Sequence, residues 1–143
     1  MSASEVGLAL GWLYSTLSGD GTLSGYAPGG VYRAEAPPTT TPPCVIMTYQ
    51  ASQSHDEIAF GGVRAYSDLV FDIVASGPSK VTQAIANAAA RIDTLILVAQ
   101  QTSITGGTII ACFRVGALET DVLVEGEMWT DMGGTYRLMI KAS

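Results

Sequence analysis

The sequence predicts an α+β fold: a mainly antiparallel sheet with two helices packed on one face, in the order α-β-β-β-α-β-β-β. Apolar residues recur at helical spacing in two segments, near the N-terminus and after Gly77-Pro78. Elsewhere they alternate at period two or gather into β-branched runs, the pattern of strands. The strand runs fall into groups divided by turn residues instead of alternating with helices, which favours an antiparallel sheet over a parallel one.

Ser2-Ala3-Ser4-Glu5 has capping-box spacing and predicts a first helix starting near residue 3. Val6, Leu10, Leu13 and Leu17 then form one apolar stripe, with Trp12 and Tyr14 off it. Residues 19–43 carry no periodicity. Glycines there permit tight turns, and Pro37, Pro38, Pro42 and Pro43 hold the chain extended. A structureless loop of this length inside one domain is expected to be either functional or disordered.

"CVIMTYQ" and "DEIAF" predict a hairpin joined through Ala51 to His55, followed by a turn or bulge at Gly61-Gly62. In the next strand Val63, Ala65, Leu69, Phe71 and Ile73 share one face, while Arg64, Tyr66, Asp68 and Asp72 share the other. Ser79 is the expected N-cap of the second helix. Its stripe is Val81, Ile85, Ala88, Ile92 and Leu95, and its small "ANAAA" face allows close approach to a sheet. Three strands complete the chain: "TIIACFRV", "ALETDVLVEGEMW" and "TYRLMIKA".

Residues 1–143 read as a single domain, long enough to bury its own core. Charged residues are 14% of the chain, against roughly 25% in soluble domains. A surface short of charge suits contact with other protein. The net charge of −6 and seven scattered bases exclude a grip on nucleic acid by phosphate neutralisation. No apolar run is long enough to span a membrane, and the N-terminus lacks the basic region of a secretory signal. Cys44 and Cys112 fall in strands far apart in sequence and read as buried thiols of a protein folded in a reducing cytosol.

The residues do not assemble an active site. The lone histidine, His55, sits among polar turn formers with no nucleophile motif beside it. G-x-S-x-G, C-x-x-C, H-E-x-x-H and the P-loop are all missing from the sequence. The expectation is a non-enzyme with no catalytic residues, no metal ligands and no cofactor. The charge pattern of "LETDVLVEGEMWTD" is more informative. Glu119, Asp121, Glu125 and Glu127 hold odd positions and Leu118, Val122, Val124 and Met128 even ones, which predicts one acidic and one apolar strand face. The acids can be a solvated face. A calcium site lacks the D-x-[DN]-x-[DN]-G loop. A third reading is the acidic wall of a pore, to which DNA would not adhere in passing.

The N-terminal helix, the loop ending "VYRAEAPPTTTPPCVIMTYQ", the strand "SDLVFDIVASG" leading into "SKVTQAIANAAARIDTLI", and the close "GGTYRLMIKAS" follow in an order and spacing that spans nearly the whole chain. In these segments the sequence resembles the tail terminator proteins of long-tailed bacteriophages. The resemblance implies a structural virion protein, folded in the host cytoplasm and placed at the tail–neck junction. There it would form a homo-oligomeric ring, hexameric in the family, that caps the tail tube and stops its polymerisation. The ring would offer a surface to head-completion and neck proteins while DNA passes through the lumen without specific binding. A neighbouring neck or tail component is the alternative within the same class, and a small α+β ligand-binding module the alternative outside it. Beside the resemblance, alternation nominates Glu119, Asp121, Glu125 and Glu127 as lumen-facing. Tyr26, Val31, Tyr32, Arg33, Pro37, Pro38, Pro42 and Pro43 are the candidate contacts to a neighbouring subunit or the tail.

Overall fold

A computed structural model describes residues 5–55 and 66–142. Three helices and six strands are described: α1 (Glu5–Ser18), α2 (Gly21–Tyr26), β1 (Val31–Arg33), β2 (Cys44–His55), β3 (Tyr66–Pro78), α3 (Thr82–Ile96), β4 (Thr102–Ile104), β5 (Gly107–Val124) and β6 (Glu127–Ala142). The strands form one sheet in the order β1-β2-β3-β6-β5-β4. Every neighbouring pair is antiparallel except β1 with β2. The expected α+β class is therefore observed, with a third, short helix added.

The core lies between the helices and one face of the sheet. Leu10, Leu13 and Leu17 of α1 and Ile85, Ala88, Ile92 and Ile96 of α3 are buried, as their spacing requires. They meet Leu69, Phe71 and Ile73 of β3, Tyr136, Leu138 and Ile140 of β6, and Ile109 and Cys112 of β5. The register places Leu69 opposite Leu138 and Phe71 opposite Tyr136, with Ile73 facing Gly134 and Ile140 facing Ser67, so apolar side chains of both strands share the face beneath the helices. Burial raises the Cys44 thiol pKa and pushes that of Cys112 up to about 12, and both thiols are free.

The segment 19–43 is not structureless. Asp20 caps α2 by accepting from the Leu23 N–H at 2.8 Å, and Leu23 is buried beneath it. β1 then joins the sheet edge. The expected hairpin turn at Ala51 to His55 is also corrected: these residues continue β2, paired with β3 through His55–Tyr66. "DEIAF", Gly61-Gly62 and Val63 to Ala65 lie outside the described residues, as does the start of the capping box. Ser79 does not cap α3. It opens a 3-10 turn, Ser79–Val81, and its hydroxyl lies 2.6 Å from that of Thr130.

The two segments "TIIACFRV" and "ALETDVLV" are one strand, β5, bulged between Ile109 and Ala111 and between Arg114 and Gly116. It turns at Glu125-Gly126, both with positive φ (49° and 80°), the geometry of a two-residue hairpin. Gly133-Gly134, which resembles a turn in sequence, lies inside β6. A Cβ on Gly133 would sit 1.9 Å from the Ile73 carbonyl oxygen, and one on Gly134 3.0 Å from that of Gly116. The glycines let β6 approach both neighbours closely.

Candidate functional site

The described residues hold no cluster of metal-ligating side chains, and no described helix is long and apolar enough to cross a membrane. What they present is surface.

The turn at Glu125-Gly126 changes the reading of the acidic strand. Leu123 pairs with Met128, Asp121 with Thr130 and Glu119 with Met132, so these six residues share the face that carries the helices. Glu127 pairs with Val124 and lies on the opposite face, while Glu125 is in the turn. Odd positions before a two-residue turn share a face with even positions after it. The four acids therefore do not form one wall. Asp121 accepts from the Thr130 hydroxyl at 2.7 Å, and Glu127 lies 3.7 Å from Lys80.

Sequence reasoning missed the apolar surface of this same hairpin. Phe113, Val115, Val122, Leu123, Val124 and Met128 are each between 43% and 65% exposed. Alternation would bury one set and wet the other, yet here both faces are apolar and wet. Three consecutive apolar residues, Val122-Leu123-Val124, just before a turn glycine were the available signal. β4 pairs with β5 only over Gly107 to Ile109, and the Gln101 N–H reaches the Ile110 carbonyl. Beyond that point no described strand covers the outer edge of β5. A long uncovered apolar edge is an aggregation hazard unless a partner occupies it.

The second surface is the proline-bearing arm. Tyr26 closes α2 and is partly buried, and Val31, Tyr32 and Arg33 form β1. The Tyr32 hydroxyl donates to the Gly29 carbonyl at 2.7 Å. The Gly29 N–H donates to Pro43, which is buried, and the Ala34 N–H donates to the Met47 carbonyl. Both ends of the arm are thus tied to the domain. Between them Arg33 to Glu35, Pro37 to Thr39 and Thr41 are exposed, and Pro42 is half-buried. Pro37, Pro38 and Pro42 line a groove of about 300 Å³ closed by Cys44, Ile46 and Trp129 on the helix-free face of the sheet. Val31, Tyr32 and Arg33 thus lie at one edge of the sheet and the acidic stretch of β5 toward the other, while the prolines reach over the helix-free face to Trp129 of β6.

Polar ties fix these surfaces to the frame. Arg91 of α3 grips Asp20 through two bonds of 2.9 and 2.8 Å, which lowers the Asp20 pKa to about 2. The bond from Arg91 is the largest cause, with the Leu23 N–H second. Asp93 of α3 accepts from the Tyr136 hydroxyl and, at 2.8 Å, from Arg114 of β5. Arg114 also donates to the Gly133 carbonyl at 3.1 Å, so α3, β5 and β6 are locked where the hairpin leaves the core.

Against known proteins, no family model and no curated protein sequence matches this chain. A solved structure does. Its fold is shared with a chain in the virion of a native gene transfer agent particle, at a TM-score of 0.71 and 16% identity. The likeness covers 97% of this chain and 98% of that one. At this identity the two chains share a fold, from one end to the other.

Proposed function

We propose that this chain is a structural virion protein of the tail-terminator kind, which assembles as a ring at the end of a tail tube and presents a surface to neck proteins. The observation that carries the reading is the end-to-end fold likeness to a chain of a virion particle, found independently of the sequence resemblance. The surface agrees with it. A monomer has no use for a long apolar hairpin edge, whereas a ring can cover it. The scarcity of charge fits the same account, and the net charge of −6 leaves DNA free to move through without adhering. The protein acts by fit and not by catalysis.

The test is addition of purified protein to assembling tails, imaged by negative stain. A terminator decorates one end and halts growth. Incorporation along the length would identify a tube subunit, and binding to heads alone a head-completion protein.

A further inference from the structure

We propose that copies of this chain join edge to edge, the uncovered edge of β5 in one copy pairing antiparallel with β1 of the next, Ala117 to Glu119 against Val31 to Arg33. The proposal deepens the ring reading and rests on it for closure.

The two ends of the sheet are complementary in shape. Following the register across the strands, Val31 stands in the row Val45–Ala75–Met132–Glu119, and Arg33 in the row Met47–Ile73–Gly134–Ala117. At the other end, Thr102 of β4 stands in the row Ile109–Ile140–Ser67–Ser54. Each end is therefore a step. β1 fills rows in which β5 has no outer neighbour among the described residues, and β4 fills rows that β1 does not reach. A second copy set beside the first without any shift brings the short strand of one end onto the uncovered stretch of the other.

Strand direction agrees. β1 runs parallel to β2, and three antiparallel steps separate β2 from β5, so β1 and β5 run oppositely. Copies held in one orientation place them antiparallel, which allows a rotational repeat to close.

Hydrogen-bonding groups agree as well. Val124 and Glu127 flank a two-residue turn, so they exchange both hydrogen bonds and the pairs alternate from there. The N–H and C=O of Ala117, Glu119, Asp121 and Leu123 consequently point away from β6. On β1, Gly30 accepts from Val45 and Ala34 donates to Met47, which turns Val31 and Arg33 outward; the outward Arg33 carbonyl already accepts from the Glu35 N–H at 2.8 Å and keeps one lone pair for a partner. In the unshifted register outward Glu119 meets outward Val31, and outward Ala117 meets outward Arg33.

Charge selects this partner over the alternative, a two-fold pairing of β5 with itself. Self-pairing would bring Glu119 and Asp121 of two copies together, which like charge disfavours. Arg33 is exposed, makes no ion pair with any described residue, and in the proposed register lies on the same face as Glu119, one diagonal step away.

Leu118 and Tyr32 form the non-hydrogen-bonded pair of this joint, the closer spacing in an antiparallel ladder and one that suits a disulfide. The experiment mixes Leu118→Cys and Tyr32→Cys proteins under mild oxidation and also oxidises the double variant. The joint predicts a cross-linked dimer only in the mixture, and a ladder up to the ring size in the double variant. Glu119→Pro removes an outward N–H and leaves the β5–β6 bonds intact, so it should fold with unchanged circular dichroism and elute at the 14.9 kDa monomer mass. Leu118→Cys dimers formed alone would overturn the joint in favour of self-pairing. A wild-type ring with no cross-link, and a Glu119→Pro ring, would overturn the joint and leave the ring reading standing. Wild type that is monomeric at every concentration and on tails would overturn both.

Discussion

Arg91 of α3 holds Asp20 through both carboxylate oxygens, at 2.9 and 2.8 Å, and Asp20 in turn caps the six-residue helix that opens the 19–43 segment. One carboxylate thus anchors the arm to the core. Asp20→Ala should destabilise the fold by about 1–2 kcal/mol, the worth of a cap plus a partly exposed ion pair, as read by urea denaturation. Asp20→Asn keeps a cap and should cost less.

The same pair sets an acid dependence. The Asp20 pKa is lowered to about 2 from an ordinary 3.8, so the folded state binds this proton more weakly than the unfolded chain. Its stabilisation is complete above about pH 4 and is lost as pH falls toward 2. The melting temperature of wild type should drop over that window more steeply than that of Asp20→Asn; parallel curves would contradict the assignment.

Gly133 is required by contact and not by turn geometry. Gly133→Ala drives a methyl into the Ile73 carbonyl and should cost about 3 kcal/mol through forced separation of β3 and β6. Gly11→Ala, in the middle of α1 with open space at the Cβ position, should instead stabilise by about 1 kcal/mol. Thermal melts of the two variants should move in opposite directions.

The thiols give a packing test. Cys44 and Cys112 are 5% and 3% exposed, with pKa values raised by burial. Neither should react with a thiol reagent in the native protein at neutral pH, and both should react in denaturant. Rapid native labelling of either would contradict the packing described for it.

Where a face is buried against helices, the sequence was readable. Leu10, Leu13, Leu17, Ile85, Ala88 and Ile92 announce their stripes, and Leu69, Phe71 and Ile73 their alternation, because a one-residue slip would move each set into water. The six residues of α2 are too few to show a period, and it forms because Asp20 and Leu23 are held from outside the segment. The polar run "ASQSH" resembles a turn in composition, yet its pairing to β3 makes it strand. The acidic wall dissolved because a two-residue turn exchanges odd and even positions, and Glu125-Gly126 sits in the middle of the pattern. The apolar hairpin edge could not be placed until the sheet order showed which strand lay outermost.

The most direct measurement of the central claim is the mass of the wild-type protein against concentration, free and with tail tubes present, with negative-stain images of the largest species. The expected result is a closed ring, six times the 14.9 kDa chain mass if it follows the resembled family, formed freely at high concentration or on the tube end. A protein that stays at the single-chain mass throughout, and leaves tube ends bare, would contradict it.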